Sequence, residues 1–255
     1  MNPAEYETMA RTEDDLWWYR GLRGSLTHLL DRYGKELSEN PIVLDAGCGT
    51  GANLRCLSEH FKNAALSGFD INPTSLEYTR QKTPDLDIYQ GDICNPDLHH
   101  DAYDLIISMD VIYMIGIKEA LGGLKKMAGA LKPKGLFITN TPALRWLYSE
   151  HDQAVHTNER SHTKDMRKLA DDMGLEVLGI SYRCFYLFPL IVLSRLPTMF
   201  GRHPEASKAV SDNALPNPML NSIFHAVMKI ENLGLAAGLR YPWGSSVIMV
   251  ARKPA

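Results

Sequence analysis

The run Val43-Leu44-Asp45-Ala46-Gly47-Cys48-Gly49-Thr50-Gly51 constrains this chain more than any other. An apolar stretch, Ile42 to Leu44, ends in a carboxylate. Three alternate glycines follow, and then Leu54, Leu57 and Phe61 recur at helical spacing. A strand that turns on glycines into a helix is the expected local structure. Glycine serves where the backbone takes positive φ or must lie against a ligand, and the helix start leaves free N–H groups facing that ligand.

The next segments repeat the alternation. Strands are expected at Ala65–Ile71, Asp87–Gln90, Tyr103–Ser108 and Leu136–Asn140, with helices between them. Asn72-Pro73 reads as a helix start, with Asn as cap and Pro in the first turn. Thr163 is expected to cap a helix stopped by Gly174, before a sixth strand at Leu175–Tyr182 and a last one at Ser245–Ala251. Strands alternating with helices make a parallel sheet with helices on both faces, and such sheets bind ligands beyond the carboxyl ends of their strands. Acids stand at those ends. Asp45 follows the first strand, Asp70 ends the second and Asp92 follows the third. Each alone reads as a turn residue or helix cap; three in succession are hard to explain as turns.

Gly47, Gly49 and Ala52 also satisfy, loosely, the fingerprint of dinucleotide sites. A pyrophosphate on that helix end would meet the Asp45 carboxylate, whereas a cationic ligand would be drawn to it. A carboxylate at Asp70 can accept both hydroxyls of a ribose, and one at Asp92 can accept from an adenine amino group.

On these residues the chain resembles the class I methyltransferases. Asp45 to Gly51 is similar to their first motif, Asp70 to their ribose-binding acid with Ile71 beside it, and Gly91-Asp92-Ile93 to their adenine-binding segment. Met109-Asp110-Val111 looks like the segment bordering the cofactor, and Leu131 to Gly135 like the turn into strand five. The resemblance is specific from about Ile42 to Asn140. It implies a Rossmann-like α/β fold: a seven-stranded, mostly parallel sheet with helices on both faces and the last strand antiparallel. It also implies S-adenosylmethionine as methyl donor, with Asp45, Gly47, Gly49, Gly51, Asp70, Ile71, Asp92, Ile93 and Met109 as its binding residues.

One domain is expected: a helical cap over 1–40, a cofactor core over 41–183, a helical insertion over 184–243 and a last strand over 244–255. The insertion carries Phe185, Tyr186, Phe188, Leu190, Ile191, Phe200, Phe224 and Trp243, with Pro204 among its prolines. It should roof an apolar acceptor pocket, since connections this long often serve as lids; dimerisation and peripheral membrane contact are other uses of such apolar surface. In the cap, Leu16 to Tyr33 has helical spacing. In related methyltransferases an N-terminal helix closes over the cofactor. Arg20 or Arg23 is thus expected to pair with the cofactor carboxylate, and Trp18 or Tyr19 to wall the pocket.

Methyl transfer to oxygen or nitrogen usually needs a proton acceptor. The polar segment after strand five offers Tyr148, Glu150, His151, Asp152, His156, Arg160 and His162. His151 and His156 are the candidate bases, with Asp152 able to orient an imidazole. No third ligand joins the two histidines, so no metal is expected. His99-His100-Asp101 reads as an exposed turn.

Composition narrows the partners. Net charge is −3 and no basic run occurs, which weighs against nucleic acid. Cys48, Cys56, Cys94 and Cys184 lack metal or disulfide spacing and read as reduced thiols. No signal peptide is visible and the longest apolar run is too short to span a bilayer, so a cytoplasmic protein acting on a small apolar or amphipathic acceptor is expected. A nicotinamide-dependent oxidoreductase and a non-catalytic cofactor-binding protein are the competing readings.

Overall fold

The computed structural model describes residues 3–199 and 215–255. Phe200 and Pro204, counted above in the insertion, lie outside the described residues.

The sheet has seven strands: β1 (Ile42–Ala46), β2 (Ala65–Asp70), β3 (Asp87–Gln90), β4 (Tyr103–Met109), β5 (Leu131–Pro142), β6 (Glu176–Arg183) and β7 (Ser246–Arg252). Their order is β3-β2-β1-β4-β5-β7-β6. β7 runs antiparallel to both neighbours, and the other neighbouring pairs are parallel. The chain turns back from β3 to place β4 on the far side of β1. Loops leaving β1 and β4 therefore diverge, and the crevice they leave is where an open α/β sheet takes its ligand.

The central strands read as continuous apolar runs because both of their faces are covered. Leu105, Ile106 and Ile107 are all fully buried. One face packs on α2 (Trp17–Tyr33) and α3 (Ala52–His60); the other packs on α6 (Ile117–Ala130) and α8 (Thr163–Asp172). A fully buried leucine contributes about 1.5–3 kcal/mol. The Leu22, Leu26, Leu29 and Leu30 stripe, buried to the last, is thus what holds α2, which has no side-chain N-cap.

The helix signals mostly fall where the spacing puts them. Asn72 caps α4 (Pro73–Lys82), accepting from the Thr74 and Ser75 amides at 2.8 and 3.2 Å. Gly174 stops α8 with φ +73°. The cap of α8 is His162, not Thr163: the Asp165 carboxylate, one turn on, accepts the His162 amide at 2.8 Å. The expected N-terminal helix is two helices, α1 (Pro3–Thr12) and α2, joined by residues 13–16. Short helices α5 (Ile112–Ile115) and α7 (Glu150–Ala154) complete the loops after β4 and β5. Between β6 and β7 lie α9 (Phe188–Met199) and α10 (Pro218–Ala236).

α10 packs lengthwise on α2 through small residues. A Cβ on Gly21 would come within 3.0 Å of Met228, and one on Gly24 within 2.7 Å of the Asn232 amide. Asn232 also bonds Ser25 and the Gly21 carbonyl at 2.7 and 2.9 Å. α10 is in this respect part of the core as well as part of an insertion.

Candidate active site

The glycine loop has the conformation its sequence demands. Gly47, Gly49 and Gly51 have φ of +84°, +55° and +90°. A Cβ on Gly47 would stand 2.5 Å from Val111, and one on Gly51 would stand 2.9 Å from Thr79. The loop is pinned to β2, with the Gly47 and Cys48 amides donating to the Phe69 carbonyl at 2.8 and 2.9 Å. Asp70 braces it further: its carboxylate accepts from the Gly49 amide at 3.0 Å and the Asn72 amide at 2.9 Å.

Over this loop lies a cavity of about 790 Å³. Gly47, Gly49, Asp70, Ile71, Asp92, Ile93, Met109 and His151 all line it. Its roof comes from α1 and α2, through Tyr6, Met9, Trp17, Trp18 and Tyr19, and its far wall from α9 and α10, through Leu187, Leu190, Ile191 and Phe224. Gly51 lies just behind the lining as the left-handed N-cap of α3.

Asp45 lies behind the loop and, unlike Asp70 and Asp92, does not line the cavity. It is fully buried, and neither carboxylate oxygen has a partner among the described residues. Burial, then the charges of Asp70 and Glu13, push its pKa up to about 8. Two orphaned carboxylate oxygens under a glycine loop are suited to a cation and hostile to a phosphate. The donor set therefore fits S-adenosylmethionine, whose ammonium and sulfonium groups are positive. Asp92 is exposed at the rim, where it accepts the Cys94 amide at 2.9 Å and keeps its second oxygen for a ligand.

Several expected roles are not where the sequence put them. Arg20 is exposed and does not line the cavity, because the helical phase that turns Trp17, Trp18 and Tyr19 inward turns Arg20 out. Arg23 reaches the Glu13 carbonyl at 2.7 Å. His156 is exposed, with φ +57°, in the turn after α7 and lies off the lining. Asp152 does not serve chiefly to orient His151. It is buried and held by Arg160 through two bonds of 2.9 Å, while Arg160 also donates to the Ala143 carbonyl at 2.7 Å. Burial pushes the Asp152 pKa up, but the charge and bonds of Arg160 outweigh it and hold the group below the usual carboxylate range. Of the insertion's aromatic residues, Phe185 stacks on Tyr241 at 5.0 Å and lies near Trp243 at 5.1 Å, outside the cavity. His99-His100-Asp101 is the exposed turn expected, tied to Lys253 at 2.8 Å.

The structure places Asp110, named above in the segment bordering the cofactor, on the cavity lining and adds partners that spacing did not single out. Asp110 leaves β4 with φ +57° and lines the cavity. The Asn140 side-chain amide donates to it at 2.7 Å, and Arg183 donates to the Asn140 side-chain oxygen Oδ1 at 3.4 Å. Burial raises the Asp110 pKa to about 6 against the pull of Asn140 and Arg183. Arg183 is fully buried at the end of β6, bonded to Ser25 at 2.9 Å and set over the Trp18 ring at 5.2 Å. Positive φ at a non-glycine residue, seen at Asp110, is a signal that only the backbone shows.

Comparison with known proteins agrees with this geometry. Residues 43–135 match the methyltransferase domain family. A malonyl-acyl-carrier-protein O-methyltransferase of Halalkalibacterium halodurans is 26% identical over 140 residues, 52% of this chain and 51% of that protein. A fatty-acid O-methyltransferase of Mycolicibacterium smegmatis is 24% identical over 119 residues, 46% and 43% of the two chains. The chain spans about half the length of the curated relatives it matches. The structure of a TehB-like S-adenosylmethionine-dependent methyltransferase from Corynebacterium glutamicum superposes with a TM-score of 0.59 at 17% identity, over 100% of each chain. The domain match over residues 43–135, the curated relatives and the shared fold all support a class I, Rossmann-like, S-adenosylmethionine-dependent methyltransferase.

Proposed function

We propose that this chain transfers a methyl group from S-adenosylmethionine to an oxygen, nitrogen or carbon atom of a small apolar or amphipathic acceptor. One observation carries the reading: a single cavity joins the acids of the glycine-loop edge to the apolar wall of α9 and α10. Two of the relatives act, by name, on a malonyl-acyl-carrier protein and on a fatty acid, and a wall of Leu187, Ile191 and Phe224 suits an acceptor with an apolar part.

The cofactor supplies an electrophilic methyl group on a sulfonium. The protein's own share is alignment and exclusion of water. Asp70 lines the cofactor end, with Asp45 buried behind the loop; Asp70 offers its carboxylate to a ribose and Asp92 its own to an adenine. His151, on the lining, is the candidate proton acceptor. Asp110 is a second one, with a pKa near 6 that suits a base working close to neutral pH. The α9–α10 segment selects the acceptor.

Calorimetric titration with S-adenosylhomocysteine tests this division. Asp70→Ala removes a ribose acceptor and the brace on Gly49; charged hydrogen bonds contribute about 1.5–3 kcal/mol each, so affinity falls about 10–100-fold. His151→Ala and Phe224→Ala leave that affinity within about twofold and lower turnover of any acceptor found. Normal affinity in Asp70→Ala would remove the ribose assignment.

A further inference from the structure

The outward face of α10 is apolar along its whole length. Met219, Ile223, Ala226, Ile230, Leu233 and Ala237 follow one another at steps of three and four on the exposed side. Met219 is 69% exposed, Ile230 60% and Leu233 61%. The opposite side, with Met228, Asn232 and Leu235, is buried on α2. A monomer rarely leaves so continuous an apolar stripe open to water without a use for it.

The charges beside the stripe say what covers it. The only acid of α10, Glu231, points inward and accepts the Cys184 and Phe185 amides, each at 2.7 Å. Along the flank facing α2 the charged groups are basic. Arg20 and Lys229 stand beside His225, whose pKa is pushed down to about 4 by burial first and then by Arg20, Lys229 and Arg23. Arg32 reaches the Ala236 carbonyl at 2.9 Å, and Arg240 is exposed just past the helix. Asp31, the acid nearest in sequence to Arg32, faces His60 on α3 at 3.8 Å. Tyr186 and Trp243, half exposed, add the amphipathic rings favoured at a membrane–water boundary. A twofold pairing of the stripe about its middle would set Lys229 against its own copy, with no exposed acid on the helix to answer it.

We infer that α10 lies in the surface of an anionic lipid bilayer, its Met219–Leu233 stripe in the acyl boundary and Arg20, Lys229, Arg32 and Arg240 at the headgroups. Among the described residues no helix is long and apolar enough to cross a membrane, so the contact is one of lying on the bilayer. It places the mouth of the cavity near lipid, since Phe224 on the same helix, and Pro216 just before it, line that cavity. The inference goes beyond the methyl-transfer reading and does not depend on which acceptor is used.

The test is co-sedimentation of the full chain with phosphatidylcholine vesicles, with and without phosphatidylserine. The four basic residues at the headgroups, at about 1 kcal/mol each, should make serine-lipid vesicles bind on the order of 1000-fold tighter, with the preference lost at high salt. The Ile230→Glu/Leu233→Glu double variant should bind at least about tenfold more weakly, with its melting temperature and S-adenosylhomocysteine affinity unchanged. Lys229→Glu should cut the lipid preference by about 30-fold and keep the fold. Failure to sediment with either vesicle, or undiminished binding in the double variant, would overturn the inference. So would a concentration-dependent dimer that the same substitutions dissociate, which would assign the stripe to a second copy of the chain. Loss of S-adenosylhomocysteine binding by the wild type would count against the cofactor reading and leave the vesicle result standing.

Discussion

Arg160→Met should unfold with a free energy about 3–5 kcal/mol below the wild type, because it strands a buried carboxylate. Asp152 is 0% exposed and Arg160 7%, and the two share both carboxylate oxygens. Arg160 also closes the loop after β5 by its bond to the Ala143 carbonyl. The sign of the pH dependence follows from the lowered Asp152 pKa. A carboxyl whose folded pKa lies below its unfolded value contributes stability that is present above the unfolded value and lost as pH falls through the folded one. The gap between wild type and variant should therefore be full at neutral pH and close in acid. Asp152→Asn/Arg160→Met should recover part of the loss, since it leaves no unpaired charge. Thermal unfolding followed by circular dichroism measures all three proteins. A variant that melts like the wild type and merely loses turnover would return Asp152 to the role of orienting a catalytic histidine.

Asp45→Asn should have the opposite effect on the ligand-free protein. The folded pKa of about 8 lies far above that of an unfolded aspartate, so Asp45's own contribution to stability is greatest below pH ~4 and is lost as pH rises through the folded value. At pH 7 the cost is roughly 4 kcal/mol. The isosteric amide carries no such charge. The variant should be more stable than the wild type at neutral pH and should lack the slope between acid and pH 8. It should also bind S-adenosylhomocysteine about 10–100-fold more weakly, the worth of one charged hydrogen bond. Wild-type binding at pH 7 should release close to one proton as Asp45 ionises beside a cation, seen as a dependence of the calorimetric heat on buffer. An unchanged pH slope in the variant would show that Asp45 is not the buried acid described here.

How much of this was legible beforehand depends on how local each feature is. The glycine loop, Asp70 and Asp92 sit at strand ends, and a strand end is a short-range property that residue spacing reveals. Alternation with helices gave a parallel sheet and the family resemblance an antiparallel last strand; the strand order itself came from the structure. Contacts made only through sheet register were hidden. Asp110 was named as bordering the cofactor, but its partners Asn140 and Arg183 come from β5 and β6; Met109 pairs with Asn140 and Arg183 with Ser246, and no sequence separation encodes those pairs. Arg20 was misplaced by a helical phase. Trp17 to Tyr19 face the cavity, and one further step of about 100° turns the guanidinium outward. Asp152 was assigned to His151 because they are adjacent in sequence. Its partner returns from Arg160, eight positions on, by a turn whose left-handed residue is His156. The insertion was legible as apolar, but the split between the cavity wall, which includes Phe224 of α10, and the outward stripe of α10 needs the packing of Gly21 and Gly24 against Met228 and Asn232.

The central claim is that the cavity above Gly47 and Gly49 takes a cationic adenosyl cofactor and not a dinucleotide. Calorimetric titration of the wild type with S-adenosylhomocysteine and, separately, with NADH decides it. The orphaned oxygens of Asp45 and the carboxylate of Asp70 predict saturable one-to-one binding of S-adenosylhomocysteine, with a raised melting temperature, and no heat from NADH. Saturable binding of NADH with none of S-adenosylhomocysteine would contradict the account.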